Sequence, residues 1–453
     1  MKRFLTGVLS ALLLLLTVPG CSMDVEPYLL PPSLQSYQKE IRQALEGYLK
    51  SSGQSGQLIL QTPQSGAYLS SFIVTDLQTK QPQWEEDAEG NYAIAFYRLG
   101  AKGNTHIHLL QNTDGEWKSL SDVEGLGSDI ERVEFGDLDG DGRLEMMAGW
   151  SVYNSRDRQL HVYSFNGDVI TPLSTDGIYT KMFIGDVTSS GRDNLLLLRI
   201  ESGNRVTARL KALRDGVLTE IGSARLDGYI QSFGDTVQTG ILADGVTGVY
   251  IDAYKDPNTT ITELLYWNGS QLYAPFYDPS KNISTATARV SYIPSMDIDA
   301  DGQIEFPKCS LLPGYYSLTD PKDIESTMWL CDWYAYQYES GKTVREFYAV
   351  VNLEDRYYIR IEDDWKDQVT TSYDGETRTL WLHPVLNGEA GEPFLGVRLQ
   401  GAGTESEPGE DGRDFQLWTE DSYYNMAYTV WYSEQNPYNL DMQKIQYILA
   451  RFP

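Results

Sequence analysis

The sequence predicts a mainly β chain, a β-propeller of about five blades closed by an N-terminal strand and followed by a small α+β domain. Three observations predict it. Tyr (31) and Trp (10) are abundant and glycine is plentiful at 40 residues, a composition that favours strands and tight turns over helices. The phrase Phe135-Gly136-Asp137 recurs as Phe233-Gly234-Asp235, with Phe183-Ile184-Gly185-Asp186 between them and weaker copies at Val74-Thr75-Asp76 and Ser295-Met296-Asp297. The five Asp positions are separated by 61, 49, 49 and 62 residues. A period near fifty, with about four short strands per unit, is the arithmetic of a propeller blade.

Individual strands can be read within the units. One unit runs through Glu145 to Val152, Gln159 to Phe165 and Val169 to Ser174, returning along Lys181 to Gly185. The next repeats this with Asn194 to Ile200, Arg205 to Leu213, Leu218 to Ala224 and Tyr229 to Phe233. The unit after Asp297 has strands near Ile304 to Leu311, Met328 to Tyr338 and Val344 to Asn352, and lacks a final strand. Ser71 to Leu77 has no blade of its own in this reading. It is therefore expected to supply the missing strand and close the ring, which would remove exposed strand edges. Leu34, Tyr37, Ile41, Leu45, Tyr48 and Leu49 fall at helical spacing with Ser33 as N-cap, predicting a helix on the ring exterior.

The chain opens with the cationic Met1-Lys2-Arg3, an apolar stretch from Phe4 to Val18, and Val18-Pro19-Gly20-Cys21. This is the pattern of a secretory signal. The Cys after a small residue resembles the lipobox of bacterial lipoproteins. That resemblance implies lipidation of Cys21, with the chain extracytoplasmic and lipid-anchored to the cell membrane. The other reading is an ordinary secretory signal with an incidental Cys. The formal net charge of -28 argues against nucleic acid as a partner. Cys309 and Cys331 are the only other thiols. In an exported chain they are a possible disulfide or two buried free thiols.

The motif with the clearest chemistry is Asp137-Leu138-Asp139-Gly140-Asp141-Gly142-Arg143-Leu144-Glu145. A hard cation such as Ca²⁺ takes about six to eight oxygens. Carboxylates at alternate positions of a tight loop can converge on one point, with the Arg143 carbonyl and Glu145 completing the cage. An EF-hand would need its bidentate Glu at the twelfth position, which here is Ala148. The acid at the ninth position instead resembles the FG-GAP or VCBS repeat, the calcium-loop propeller repeat also found in integrin α subunits. That family carries Asp where this chain has Glu145. The resemblance implies a propeller with Ca²⁺ in loops between blades.

Asp297-Ile298-Asp299-Ala300-Asp301-Gly302-Gln303-Ile304-Glu305 repeats the spacing and the end acid. Ca²⁺ is expected at both loops, against the alternative of Asx turns that need no metal. Its role there is structural. In the Asp186 copy the outer acids Asp186 and Asp193 flank Thr188 and Ser190. The Asp235 copy has lost the ladder, and Lys80 argues against a cation at Asp76. These three loops are expected to be metal-free.

From Leu353 the repeat stops. Strands are expected at Tyr357 to Ile361, Val369 to Tyr373, Thr377 to His383, Phe394 to Leu399, Phe415 to Glu420 and Tyr428 to Trp431. A terminal helix follows, capped by Asp441 and buried through Met442, Ile445, Ile448 and Leu449. The opening run through Trp365-Lys366 and Val369-Thr370 is similar to the PsbP-like domain that ends some Gram-positive lipoproteins. The expected organisation is residues 1–21 signal and lipobox, 22–56 linker and helix, 57–352 propeller, and 353–453 α+β domain.

No Gly-x-Ser-x-Gly, phosphate loop or Cys-His arrangement is present. His106 and His108 share a strand face, but no third metal ligand at suitable spacing accompanies them. The expected function is a non-catalytic binding module for an extracellular protein, peptide or glycan. The rivals are an extracellular glycosidase using channel carboxylates and an accessory subunit of an envelope complex.

Overall fold

The computed structural model describes residues 36–77, 91–152, 155–174, 177–290, 292–314, 328–403 and 413–452. Cys21, Ser33 and Lys80 lie outside these. The described chain is mainly β, with two helices and several antiparallel sheets, none of them closed.

Among the described residues six larger sheets follow one another along the chain, with a two-stranded ribbon of Tyr277–Asp278 and Ile283–Ser284 between the fourth and fifth. Sheet 1 holds Tyr92–Leu99, His106–Thr113 and Glu116–Glu124, with Leu58–Leu60 and Phe72–Thr75 sharing the free edge of Tyr92–Leu99. Sheet 2 holds Ile130–Gly136, Glu145–Ser151, Arg158–Asn166 and Val169–Ser174, with Ile178–Tyr179 added on Arg158–Asn166. Sheet 3 holds Lys181–Gly185, Asn194–Glu201, Arg205–Arg214 and Val217–Leu226, and sheet 4 holds Ser232–Ala243, Val246–Asp256, Thr259–Trp267 and Leu272–Tyr273. Sheet 5 holds Phe306–Leu311, Trp329–Gln337, Lys342–Asn352, Tyr357–Ile361 and Leu449–Arg451. Sheet 6 is built on Val369–Asp374, Thr379–Leu386, Leu395–Gly401, Met426–Tyr432 and Gln416–Asp421.

The sheets pack face to face in series, and the second strand of each unit shows why. Met146, Ala148 and Trp150 face sheet 1, while Met147 faces sheet 3. Leu195 and Leu197 face sheet 2, while Leu196 and Leu198 face sheet 4. Val249 and Ile251 face sheet 3, while Tyr250 faces sheet 5. A strand covered on both faces needs a continuous apolar run rather than alternation, and these runs supply it. Gly149 breaks the first run because Tyr179 needs the space. A Cβ at that position would sit 1.8 Å from the Tyr179 hydroxyl.

Three expectations are corrected here. Phe72–Thr75 does not complete the last unit; it pairs with Tyr92–Leu99 in a sheet of its own. The face of sheet 1 turned away from sheet 2 carries Phe72, Val74, Ala93, Ala95 and Tyr97, and helix Ser36–Ser51 covers it with Ile41, Leu45 and Leu49. Apolar area that ring closure would bury is buried by the helix instead. The returning strands also belong to the following sheet: Lys181–Gly185 pairs with Asn194–Glu201, not with sheet 2.

Sheet 5 is completed from beyond residue 352. Tyr357–Ile361 pairs with Lys342–Asn352, and Leu449–Arg451 pairs in turn with Tyr357–Ile361. Sheets 5 and 6 share one core, including Val350, Ile359, Trp365, Leu382, Val397 and Val430. Helix Met442–Ile448 seals that core through Ile445 and Ile448, with Asp441 accepting the Lys444 N–H at 2.8 Å as its N-cap. Leu449, expected on the helix, begins the last strand. Cys309 and Cys331 face each other across paired strands, with Sγ atoms 2.9 Å apart and unbonded.

Removing residues 449–453 should expose the Tyr357–Ile361 edge and forfeit the buried Leu449, a loss of about 2–5 kcal/mol. Thermal denaturation followed by circular dichroism should show a lower midpoint. An unchanged midpoint would mean that the last strand contributes nothing to sheet 5.

Candidate metal centre

The two predicted loops each close on an antiparallel pairing at their base. The first connects Ile130–Gly136 to Glu145–Ser151, with Gly136 paired to Glu145 across its base. The second spans the bridge between Met296 and Glu305. The first loop therefore lies within sheet 2, and the second immediately precedes Phe306–Leu311, the first strand of sheet 5. Each also touches its neighbour in the series. Asp137 donates its N–H to the Asp193 carboxylate at 3.0 Å and accepts the Asp193 N–H on its carbonyl at 3.0 Å, and Ile241 donates its N–H to the Gly302 carbonyl at 3.1 Å.

Within the first loop the Asp137 carboxylate accepts the N–H groups of Gly140 at 2.7 Å and Gly142 at 3.0 Å. Glu145 reaches back to the Leu138 N–H at 2.8 Å. In the second, Asp297 accepts from Asp301 and Gly302, each at 3.0 Å, and Glu305 from Ile298 at 3.1 Å. Gly142 and Gly302 adopt φ +86° and +91°, a conformation that costs little only for glycine.

This folding brings three carboxylates together in each loop. Asp137, Asp139 and Glu145 offer oxygens within 4.8 Å of one another, and Asp297, Asp299 and Glu305 do the same. Asp141 and Asp301 fall outside these triads. They accept the N–H groups of Arg143 and Gln303, each at 2.8 Å, which orders the turn. Glu145 and Glu305 are buried, with 3% and 1% of their surface exposed. Burial pushes the Glu145 carboxyl up to about 7 and the Glu305 carboxyl up to about 8, and the neighbouring aspartates push further in the same direction. Three converging carboxylates with a buried member that resists ionisation fit a hard divalent cation, which prefers oxygen donors. The triads would hold it and the cation would balance their charge. The loops differ in one respect. Arg360 Nη2 lies 3.6 Å from Asp299, whereas the nearest basic side chain to the first loop's aspartates is Arg143, 3.9 Å from Asp141.

The Asp186 loop keeps the fold without the charge. Asp186 accepts from Ser190 at 2.8 Å and Gly191 at 2.7 Å, as Asp137 and Asp297 do in their loops. The ninth position is Asn194, not the Asp193 that sequence reading paired with Asp186. Its amide oxygen takes both the N–H and the hydroxyl of Thr188 at 3.0 Å. Counting nine from Asp186, as from Asp137, would have found it. Asp235 sits inside Ser232–Ala243 at a shift in strand register, so no loop forms there. His106 and His108 both turn Nδ1 to Asp122, at 2.9 and 3.0 Å, a partner that sequence reading missed.

No protein family matches this chain, and no curated protein matches it. Solved structures similar to it include an exotype rhamnogalacturonan lyase (10% identity, 84% of each chain, TM-score 0.29). Others are the Bacillus licheniformis rhamnogalacturonan lyase (11% identity, 75% of this chain and 76% of that one, TM-score 0.29) and Saccharomyces cerevisiae Sqt1 (8% identity, 80% and 95%, TM-score 0.30). At such scores, function has to be argued from the chain's own residues.

A carboxyl whose pKa is higher folded than unfolded binds its proton more tightly in the folded state, so stability falls as pH rises between the two values. For Glu145 and Glu305 that window runs from the ordinary glutamate range near 4.5 to about 7 and about 8. In EDTA the melting midpoint should decline across it, and Glu145→Gln with Glu305→Gln should flatten the decline. An equally steep decline in the double variant would assign it to other groups.

Proposed function

We propose that this chain is a calcium-stabilised, propeller-like lipoprotein, anchored to the outer face of a membrane through Cys21, that serves as an extracellular binding module without catalytic chemistry of its own. The observation that supports it best is the pair of carboxylate triads, one in the first loop of sheet 2 and one in the loop that leads into sheet 5. Sheets 1 to 5 are its blades, about five in number, and each begins with one of the repeated Asp positions. The likeness of the loops to FG-GAP or VCBS repeats supports the calcium, and the likeness of Gly20-Cys21 to a lipobox supports the anchor. Among the described residues no helix is long and apolar enough to cross a membrane. The segment after residue 352 serves as a C-terminal α+β unit with PsbP-like character, fused to sheet 5.

Calcium in this role acts on the folded state. When free calcium is about a hundred times Kd, one site adds about 2.7 kcal/mol. Melting in calcium and in EDTA tests the metal, with a higher midpoint in calcium as the expected result. Partition of the expressed chain between detergent and aqueous phases tests the anchor. The chain should follow the detergent, and Cys21→Ser should move it to water. Equal midpoints would remove the calcium, and unchanged partition would remove the lipid.

A further inference from the structure

A cavity of about 470 Å³ opens where the first strands of sheets 2, 3 and 4 converge, and Arg132, Arg156, Arg158 and Lys181 line it with Glu131 and Asp235. Four cations against two carboxylates is an unusual local balance in a chain of net charge -28.

Three of the four cations are held by backbone carbonyls rather than by acids. Lys181 Nζ donates to the Asp235 carbonyl at 2.6 Å, and Arg156 Nη1 to the Gln231 carbonyl at 3.1 Å. Arg158 Nη1 donates to the carbonyls of Ser155 at 3.0 Å and Asp157 at 3.2 Å. Its Nε is buried and has no acceptor among the described residues. Such bonds position a cation without neutralising it as a direct ion pair would.

Glu131 and Glu134 are already engaged. Glu131 accepts from Ser65 Oγ at 2.5 Å and Tyr179 Oη at 3.0 Å, and Arg132 is paired with Glu134 at 3.1 Å. Burial, then the charge of Arg132, pushes the Lys181 ammonium down to about 8, against the weaker opposing pull of Asp235, Glu131 and Glu134. The cavity thus disfavours further positive charge and would be relieved by an anion. Guanidinium groups match the oxygens of carboxylate and phosphate in a planar, two-pronged geometry, and an ammonium adds a point charge beside them.

We infer that this cavity binds an oxyanion carried by an extracellular ligand, either the carboxylate of an acidic sugar or a phosphate group. This rests on the binding-module reading and names the chemistry of its ligand. It does not depend on calcium. Arg156, Arg158 and Lys181 hold the oxyanion, and Arg132, anchored by Glu134, sets the field around it.

Isothermal titration of the full-length chain in detergent, at low ionic strength, tests this with inorganic phosphate and with glucuronate as probes. Saturable binding of at least one probe is expected, weakening as salt is raised. Tighter phosphate assigns the phosphate source, and tighter glucuronate the carboxylate source. Lys181→Gln with Arg156→Gln should weaken binding at least about tenfold, equivalent to about 1.4 kcal/mol, at an unchanged melting midpoint, whereas Lys181→Arg should retain it. If the double variant melts early, Lys181→Gln alone decides by the same criterion. No saturation with either probe in the millimolar range, or undiminished binding in the deciding variant, overturns the assignment. Loss of anion binding with the calcium-dependent midpoint shift intact overturns this site alone. The reverse result overturns the calcium alone.

Discussion

The unit on which the structure depends is a strand, a nine-residue loop and a second strand. The first carboxylate of the loop gathers the loop's own N–H groups, and the ninth side chain reaches back to hold its base. Asp137, Asp186 and Asp297 all perform the first task. Glu145, Asn194 and Glu305 perform the second. Asn194 closes its loop as a neutral group with two bonds from Thr188. Glu145 and Glu305 close theirs with a buried acid beside two aspartates, which strains the loop electrostatically unless a proton or a cation joins it. Loop geometry is thus common to the repeat, while the acids at the third and ninth positions, Asp139 with Glu145 and Asp299 with Glu305, are replaced by Thr188 and Asn194 in the Asp186 loop.

The same unit sets the stacking. The loop delivers the chain into a strand buried on both faces, and that strand joins the sheets before and after it. First strands consequently line the inner side, where residues of sheets 2, 3 and 4 meet around one cavity. The series ends differently at its two sides. Helix Ser36–Ser51 covers the outer face of sheet 1, and sheet 6 covers the outer face of sheet 5. Each terminal sheet has found a local partner for its apolar face, so nothing in the packing requires the two to meet.

Much of this was legible in the sequence because its signals were local. Val169–Ser174, Lys181–Gly185 and Tyr357–Ile361 have the bounds that apolar pattern and turns assign them. Spacing alone gives the first, third and ninth acids of both loops, but not that Asp141 and Asp301 fall outside the triads. What was not legible was pairing, which depends on residues far apart in the chain. Of sheet 1 only the strand face shared by His106 and His108 is legible; Tyr92–Leu99 and Glu116–Glu124 carry no Phe-Gly-Asp phrase or acid ladder, although Asp114-Gly115 is a strong hairpin signal. Without that sheet, Phe72–Thr75 had no neighbour and was sent to the far end of the chain. The cavity was equally hidden. Arg132, Arg156 and Lys181 are widely spaced, and only the convergence of three sheets makes them one surface.

Counting bound calcium tests the central claim most directly. Equilibrium dialysis of the EDTA-stripped chain against calcium, with metal measured by atomic emission, should find two ions per chain, one for each triad. Glu145→Gln and Glu305→Gln should each remove one, while Asn194→Gln should leave the count unchanged. A chain that takes up no calcium, or one whose count ignores both glutamates, would contradict the account.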